Sequence, residues 1–224
     1  MNKSIPDYLK YNILIVCEGV GDKNFLDKFI LERNLPSNVG ITHVNESATG
    51  KSGGREGLGS YLLAIKANRH FEKNIKKIIV ISDNDDDMVT SFNSVCNQLK
   101  TASLAIPNTV NEYTKEKDGV SVAVVMIPVG KNGNMESMCM PAAHERWGLE
   151  KELDSWINNT PAVNWSFGKQ CKVRLHALIS VNNKKRPETG FAMHWNEKKP
   201  EMRISTKHKC FDDFGNVFLK LISP

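Results

Sequence analysis

Five carboxylates pose the chemical question in this sequence: Glu18, Asp22, Asp83, Asp85 and Glu136. The clearest setting is IIVISDNDDD, in which Ile78, Ile79, Val80 and Ile81 give way to Asp83, Asp85, Asp86 and Asp87. An apolar run with no polar side to turn toward water reads as a strand buried on both faces. Asp83 and Asp85 are two apart, so a chain that stays extended past Ser82 sends both side chains off one face at the strand's carboxyl end. Open α/β sheets place ligands there. Two carboxylates held together repel, and a shared proton or a hard divalent cation such as Mg2+ relieves them. The competing reading is a solvated acidic loop, with Asp87 as N-cap of the next helix.

The other acids stand at similar boundaries. Residues 12–17 (NILIVC) form a second strand-length apolar run that ends in Glu18-Gly19. Gly19 and Gly21 allow a close turn, and Phe25, Leu26, Phe29 and Ile30 then fall on one helical stripe. Asp22 has two possible tasks here: capping that helix, or joining Glu18 as a second acid. A third buried strand, residues 121–128, stops at Pro128 and runs through a polar turn containing Lys131 to Glu136. A short segment over 137–140 is expected to break at Pro141.

Between these lie a short strand near 40–44, a glycine-rich loop over 45–57, and helices expected over 58–70 and 88–99. The loop nearly matches the phosphate-binding pattern GxxxxGK[ST], with Asn45 in place of the first glycine. Gly53-Gly54 would also weaken the helix start that must cradle phosphates, so a nucleotide-hydrolysing loop is disfavoured. Lys51 and Arg55 remain as phosphate contacts. Further helices are expected over 149–158, 172–181 and 211–222, which divides the chain into an α/β core, 1–145, and a helical, basic extension packed on it, 146–224.

The chain has 224 residues and a net charge of +5. Between Trp165 and Lys209, eleven Lys and Arg face only Glu188, Glu197 and Glu201. A basic surface beside an acidic site suits a nucleic-acid backbone, DNA or RNA, although solvated basic faces are also common. The five cysteines are scattered and never form a CxxC pair, which argues against a disulfide framework and against a zinc knuckle. No stretch has the apolar length of a membrane span or the pattern of a secretory leader, so a cytoplasmic protein is expected.

Glu18-Gly19 followed by Asp22 and Phe25, then Asp83-Asn84-Asp85 on an apolar strand, then Gly133-Asn134-Met135-Glu136, resembles the Toprim domain superfamily. The likeness is to small stand-alone Toprim proteins of unknown function and, more distantly, to OLD-family nucleases. It covers about residues 12–140. It implies an α/β, Rossmann-like fold with a mostly parallel central sheet flanked by helices, and metal-dependent phosphoryl transfer on nucleic acid. In that scheme Asp83 and Asp85 hold one Mg2+ or Mn2+, and Glu18 with Asp22 or Glu136 helps hold a second, on the order of 4 Å away. Glu18, Asp83, Asp85 and Glu136 are then the catalytic acids, and Lys51, Arg55, Lys131, Lys184, Lys185 and Arg186 are phosphate contacts. The alternative from the same resemblance is a non-catalytic protein that binds nucleic acid or a protein partner. The tyrosine that topoisomerases use for strand passage normally comes from another domain, which 224 residues are too few to supply, so strand passage is not expected.

Overall fold

The computed structural model describes residues 5–44 and 53–223. Four strands, β1 (Ile13–Cys17), β2 (Val39–His43), β3 (Lys77–Asp83) and β4 (Ser121–Ile127), form one sheet in the order β2-β1-β3-β4. Every pairing is parallel, as the apolar runs require. Alternate residues divide the core in two. Ile13, Ile15, Cys17, Ile79, Ile81, Ala123, Val125 and Ile127 face one side, and Leu14, Val16, Ile78, Val80, Val122, Val124 and Met126 the other.

Helices cover both faces. The first side packs on α1 (Val20–Glu32), which joins β1 to β2. The second packs on α2 (Leu58–Lys66) and on α4 (Met88–Thr101), with Phe71 of the short α3 (Arg69–Asn74) beside them. The chain thus winds from β1 to β2 in one direction and from β3 to β4 in the other. The reversal lies between β1 and β3, and their carboxyl ends frame the crevice where such sheets take ligands.

Beyond β4 follow α5 (Met135–Trp147), α6 (Glu150–Asn158), α7 (Phe167–Asn182), a short α8 (Phe191–His194) and α9 (Asp212–Ile222). They share the first core with α1. Phe25 is the hub, with ring centroids 5.4 Å from Phe29, 5.1 Å from Trp195, 5.4 Å from Phe211 and 6.0 Å from Phe214. The end of α1 is tied to the same region by an ion pair of Glu32 with the buried Arg203, and by Arg33, which donates to the carbonyls of Thr206 and His208.

Both sheet edges are occupied. Asn111 and Thr114 donate main-chain N–H groups to Val124 and Val122 along β4. On β2, a Cβ at Gly40 would lie 2.0 Å from the carbonyl oxygen of Tyr8, so only glycine admits that approach.

Three boundaries depart from expectation for local reasons. The helix expected over 58–70 is two helices, because Asn68 caps a new one by accepting the N–H of His70. The break expected at Pro141 does not occur; α5 runs through it to Trp147. Burial of Met138, Cys139, Met140, Ala142 and Ala143 on both sides of the proline holds the helix together despite one missing hydrogen bond. α7 begins at Phe167 rather than near 172, which puts Lys172 in its second turn. Among the described residues no helix is long and apolar enough to cross a membrane.

Candidate active site

The crevice between β1 and β3 gathers most of the acids. Glu18, Asp22, Asp83 and Glu136 line one open pocket of about 540 Å³, together with Gly54, Lys172, His176 and the Gly190-Phe191-Ala192 segment. A hollow of similar size beside β2, lined by Tyr8, Tyr11 and Lys23, holds none of them.

Each acid is aimed by main chain around it. Glu18 leaves the end of β1, and its Oε1 accepts the N–H of Asp83 at 3.2 Å and the hydroxyl of Ser82, which joins it to the end of β3. Asp22 performs both tasks its position allowed. Its Oδ2 accepts the N–H of Gly19 at 2.9 Å, satisfying the N-cap main chain at the start of α1, while the side chain still lines the pocket. Asp83 accepts the N–H of Met135 at 3.0 Å through Oδ1, so the first turn of α5 fixes it. Glu136 is buried in that same turn.

Asp85 is placed differently. The chain does not stay extended after β3: Asp85 adopts φ +49 and its carbonyl accepts the N–H of Gly133 at 2.6 Å. Asn84 is locked beneath, donating through Nδ2 to the carbonyls of Pro128 and Lys131, each at 2.6 Å. The turn pins the two acidic loops together and leaves Asp85 off the pocket wall, with its side chain 53% exposed. Asp87 caps α4 by accepting the N–H of Thr90.

The crowding has an electrostatic cost. Burial, and then the charges of Asp22, Glu18 and Glu136, push the Asp83 carboxyl well above the carboxylate range. Burial lifts Asp22 to about 7; the Gly19 N–H opposes this, while Glu18 and Glu136 add to it. Lys172 answers from α7. Partial burial works against its charge, but Glu136, Asp83, Asp85 and Asp22 outweigh that and raise its pKa.

Over residues 11–223 the sequence matches the family described as "Protein of unknown function (DUF3226)". The chain belongs to that family. No curated protein and no solved structure matches it.

For this DUF3226 chain, fit to a divalent cation is therefore judged on its own donors. Among the described residues no three His, Cys, Asp or Glu side chains are already gathered around one metal position. The donor set does fit a hard cation in kind, since it is all carboxylate oxygen. The scaffold bonds described engage Oε1 of Glu18, Oδ2 of Asp22 and Oδ1 of Asp83, and none engages the second oxygen of these groups. Burial first, and the neighbouring acids second, hold the Asp22 and Asp83 carboxyls raised.

The expected phosphate contacts are spread out. Arg55 is turned inward and pairs with acids. Lys131 sits exposed on the loop that Asn84 anchors. Lys184, Lys185 and Arg186 are exposed beyond the end of α7, and Arg186 pairs with Glu197 at 3.3 Å. At 1.5 Å per residue that end of the helix is roughly 15 Å from Lys172. Lys51 lies outside the described residues. Nothing singled out Lys172 or His176 beforehand. Their spacing of four residues, on the flank of α7 away from Cys171, Leu175 and Leu178, was the available signal.

Proposed function

We propose that this chain is a small Toprim-type nuclease, which hydrolyses or nicks phosphodiester bonds of DNA or RNA in the cytoplasm with Mg2+ or Mn2+. One observation carries the reading: Glu18, Asp22, Asp83 and Glu136, far apart in sequence, line a single pocket at the switch point of the sheet, with Lys172 and His176 on the same wall. Structural ion-pair clusters usually balance their charges, whereas this one keeps two carboxyls raised.

A divalent cation held by Asp22, Asp83 and Glu136 would supply Lewis acidity, polarising the phosphate and lowering the pKa of a bound water. The chain's own groups have distinct work. Glu18, held through Oε1 by Ser82 and the Asp83 N–H, fixes the spacing of the β1 and β3 ends. Lys172 faces the acids and offsets charge that develops on the phosphate oxygens in the transition state. Lys131, Lys184 and Lys185 meet the flanking backbone without regard to sequence.

The test is cleavage of plasmid and of single-stranded DNA and RNA by the purified chain with Mn2+ or Mg2+, compared with Asp83→Asn. Metal-dependent cleavage that falls by at least about a hundredfold in the variant supports the proposal. Nucleic-acid binding with no cleavage under either metal sinks it. That result favours the non-catalytic binding protein, a reading supported by the lack of a preassembled ligand group among the described residues.

A further inference from the structure

A separate cavity opens on the other face of the sheet, behind the acidic rim. It measures about 340 Å³ and lies between the first turns of α4, the end of β4 and the segment 108–111 that runs along that edge. Met88, Phe92, Val110 and Met126 form apolar walls, and Asn84 and Asn111 supply polar ones. Phe92, Val110 and Met126 belong to the second core, whereas Met135, in the turn that carries Glu136, belongs to the first. None of the described residues that line the cavity carries a charge.

Two acceptors in these walls are unmatched. Asn84 is 1% exposed, and its other polar atoms are all engaged. Its N–H donates to the Ile127 carbonyl at 2.7 Å, its carbonyl accepts the Ser91 hydroxyl at 2.7 Å, and Nδ2 donates to the carbonyls of Pro128 and Lys131. Because Nδ2 faces two carbonyls the amide cannot be reversed, and Oδ1 remains as an acceptor. Asn111 is fixed by its main chain, which donates to the Val124 carbonyl at 2.8 Å and takes a left-handed φ of +64. Oδ1 of Asn84 and Oδ1 of Asn111 are both buried with no hydrogen-bond partner among the described residues. A buried acceptor left in that state is costly, and a donor brought to it recovers the cost.

The wall chemistry specifies the occupant. The volume and the apolar lining suit a small molecule, and uncharged walls offer nothing to a phosphate or carboxylate. Two acceptors call for two donors, which one amino group provides and one hydroxyl does not. The thioethers of Met88 and Met126 and the ring of Phe92 favour an aromatic body. Met88 is unbranched and 38% exposed, so the mouth adapts to an entering ring. We propose that this cavity binds a small, neutral, amino-substituted heteroaromatic molecule, whose N–H groups donate to Oδ1 of Asn84 and Oδ1 of Asn111. The site is distinct from the acidic pocket and does not rest on the phosphodiester reading.

The experiment takes the full-length chain with labelled methionine methyl groups and two probes, adenine and purine, which differ only in the amino group. Calorimetry gives each Kd, and methyl NMR locates the binding. Adenine is expected to bind at one site, at least about tenfold more tightly than purine. It shifts the methyl signals of Met88 and Met126 and leaves those of Met135 and Met138, on the other face of the sheet, in place. Asn111→Gly keeps the left-handed backbone but removes one acceptor, and it brings the two probes to within about threefold of each other. No binding of adenine at millimolar concentration, equal affinity for the two probes, or shifts at Met135 and Met138 in place of Met88 and Met126 overturns the proposal. So does a folded Asn111→Gly that keeps the full preference for adenine. Should that variant fail to fold, the two probes on the wild type decide the matter.

Discussion

Replacing Asp22 by Asn should make the metal-free protein more stable at neutral pH. In the folded chain its carboxyl titrates near 7, against 3.8 for the free group. Between those values the folded state holds a proton that the unfolded state has lost, so stability falls as pH rises from about 4 to about 7 and stays low above. A gap of about three pH units is worth about 4 kcal/mol at most, at 1.36 kcal/mol per unit. Asp22 shares its protons with Glu18, Asp83 and Glu136, so about 2–4 kcal/mol is the expected range. The asparagine oxygen still accepts the N–H of Gly19, so the helix cap survives the change. For a chain of this size the gain appears at pH 8 as a rise in Tm of about 5–15 °C, and it vanishes at pH 4. The assay is thermal unfolding in EDTA between pH 4 and 8, repeated with Mg2+. At a hundred times its Kd the cation raises the wild type by about 2.7 kcal/mol and the variant by much less. A variant equal to or less stable than wild type at pH 8, or a gap between the two proteins that does not change with pH, refutes the electrostatic account of the pocket.

Two further outcomes follow from the extension. His194 is buried, and burial followed by the nearby charge of Arg203 pulls its pKa down to about 4, so the unfolded chain takes up a proton below pH 6.5 that the folded chain refuses. Stability attributable to this group is complete above pH 6.5 and falls by about 3 kcal/mol by pH 4; urea midpoints should show that loss in the wild type and not in His194→Gln. Phe25→Ala empties the hub between α1 and the last helices, and a cost of about 3–5 kcal/mol is expected, with loss of near-ultraviolet circular dichroism from Trp195. A cost below about 1 kcal/mol would mean that the extension does not depend on this contact.

The strands and their burial were legible because the apolar runs at 12–17, 78–81 and 121–127 have no polar face, a pattern that suits a parallel sheet covered on both sides. The placing of Glu18 and Asp83 at the ends of β1 and β3 was legible for the same reason, since the change from apolar to acidic marks the rim, whereas Glu136 stands in the first turn of α5, nine residues beyond β4. Asp22 was ambiguous in sequence because a first-turn carboxylate can serve the helix and the pocket equally well, and here it does both.

Asp85 and Arg55 show where linear pattern stops. Spacing by two predicts a shared face only while the backbone stays extended. The turn at Asp85 depends on a bond to Gly133, which lies on the loop after β4. Arg55 follows a glycine-rich loop, and its sequence gives no sign that four acceptors at the ends of β1 and β3 converge around it.

By itself the sequence determined the covered parallel sheet and the acids at its rim, because both follow from side-chain chemistry read along one chain. Tertiary structure alone decided which acids share a pocket, which one is drawn off by Arg55, and that a helix from the extension brings Lys172 and His176 to the same wall. Those outcomes depend on strand order and on contacts between residues distant in sequence, and neither leaves a periodic trace in the sequence.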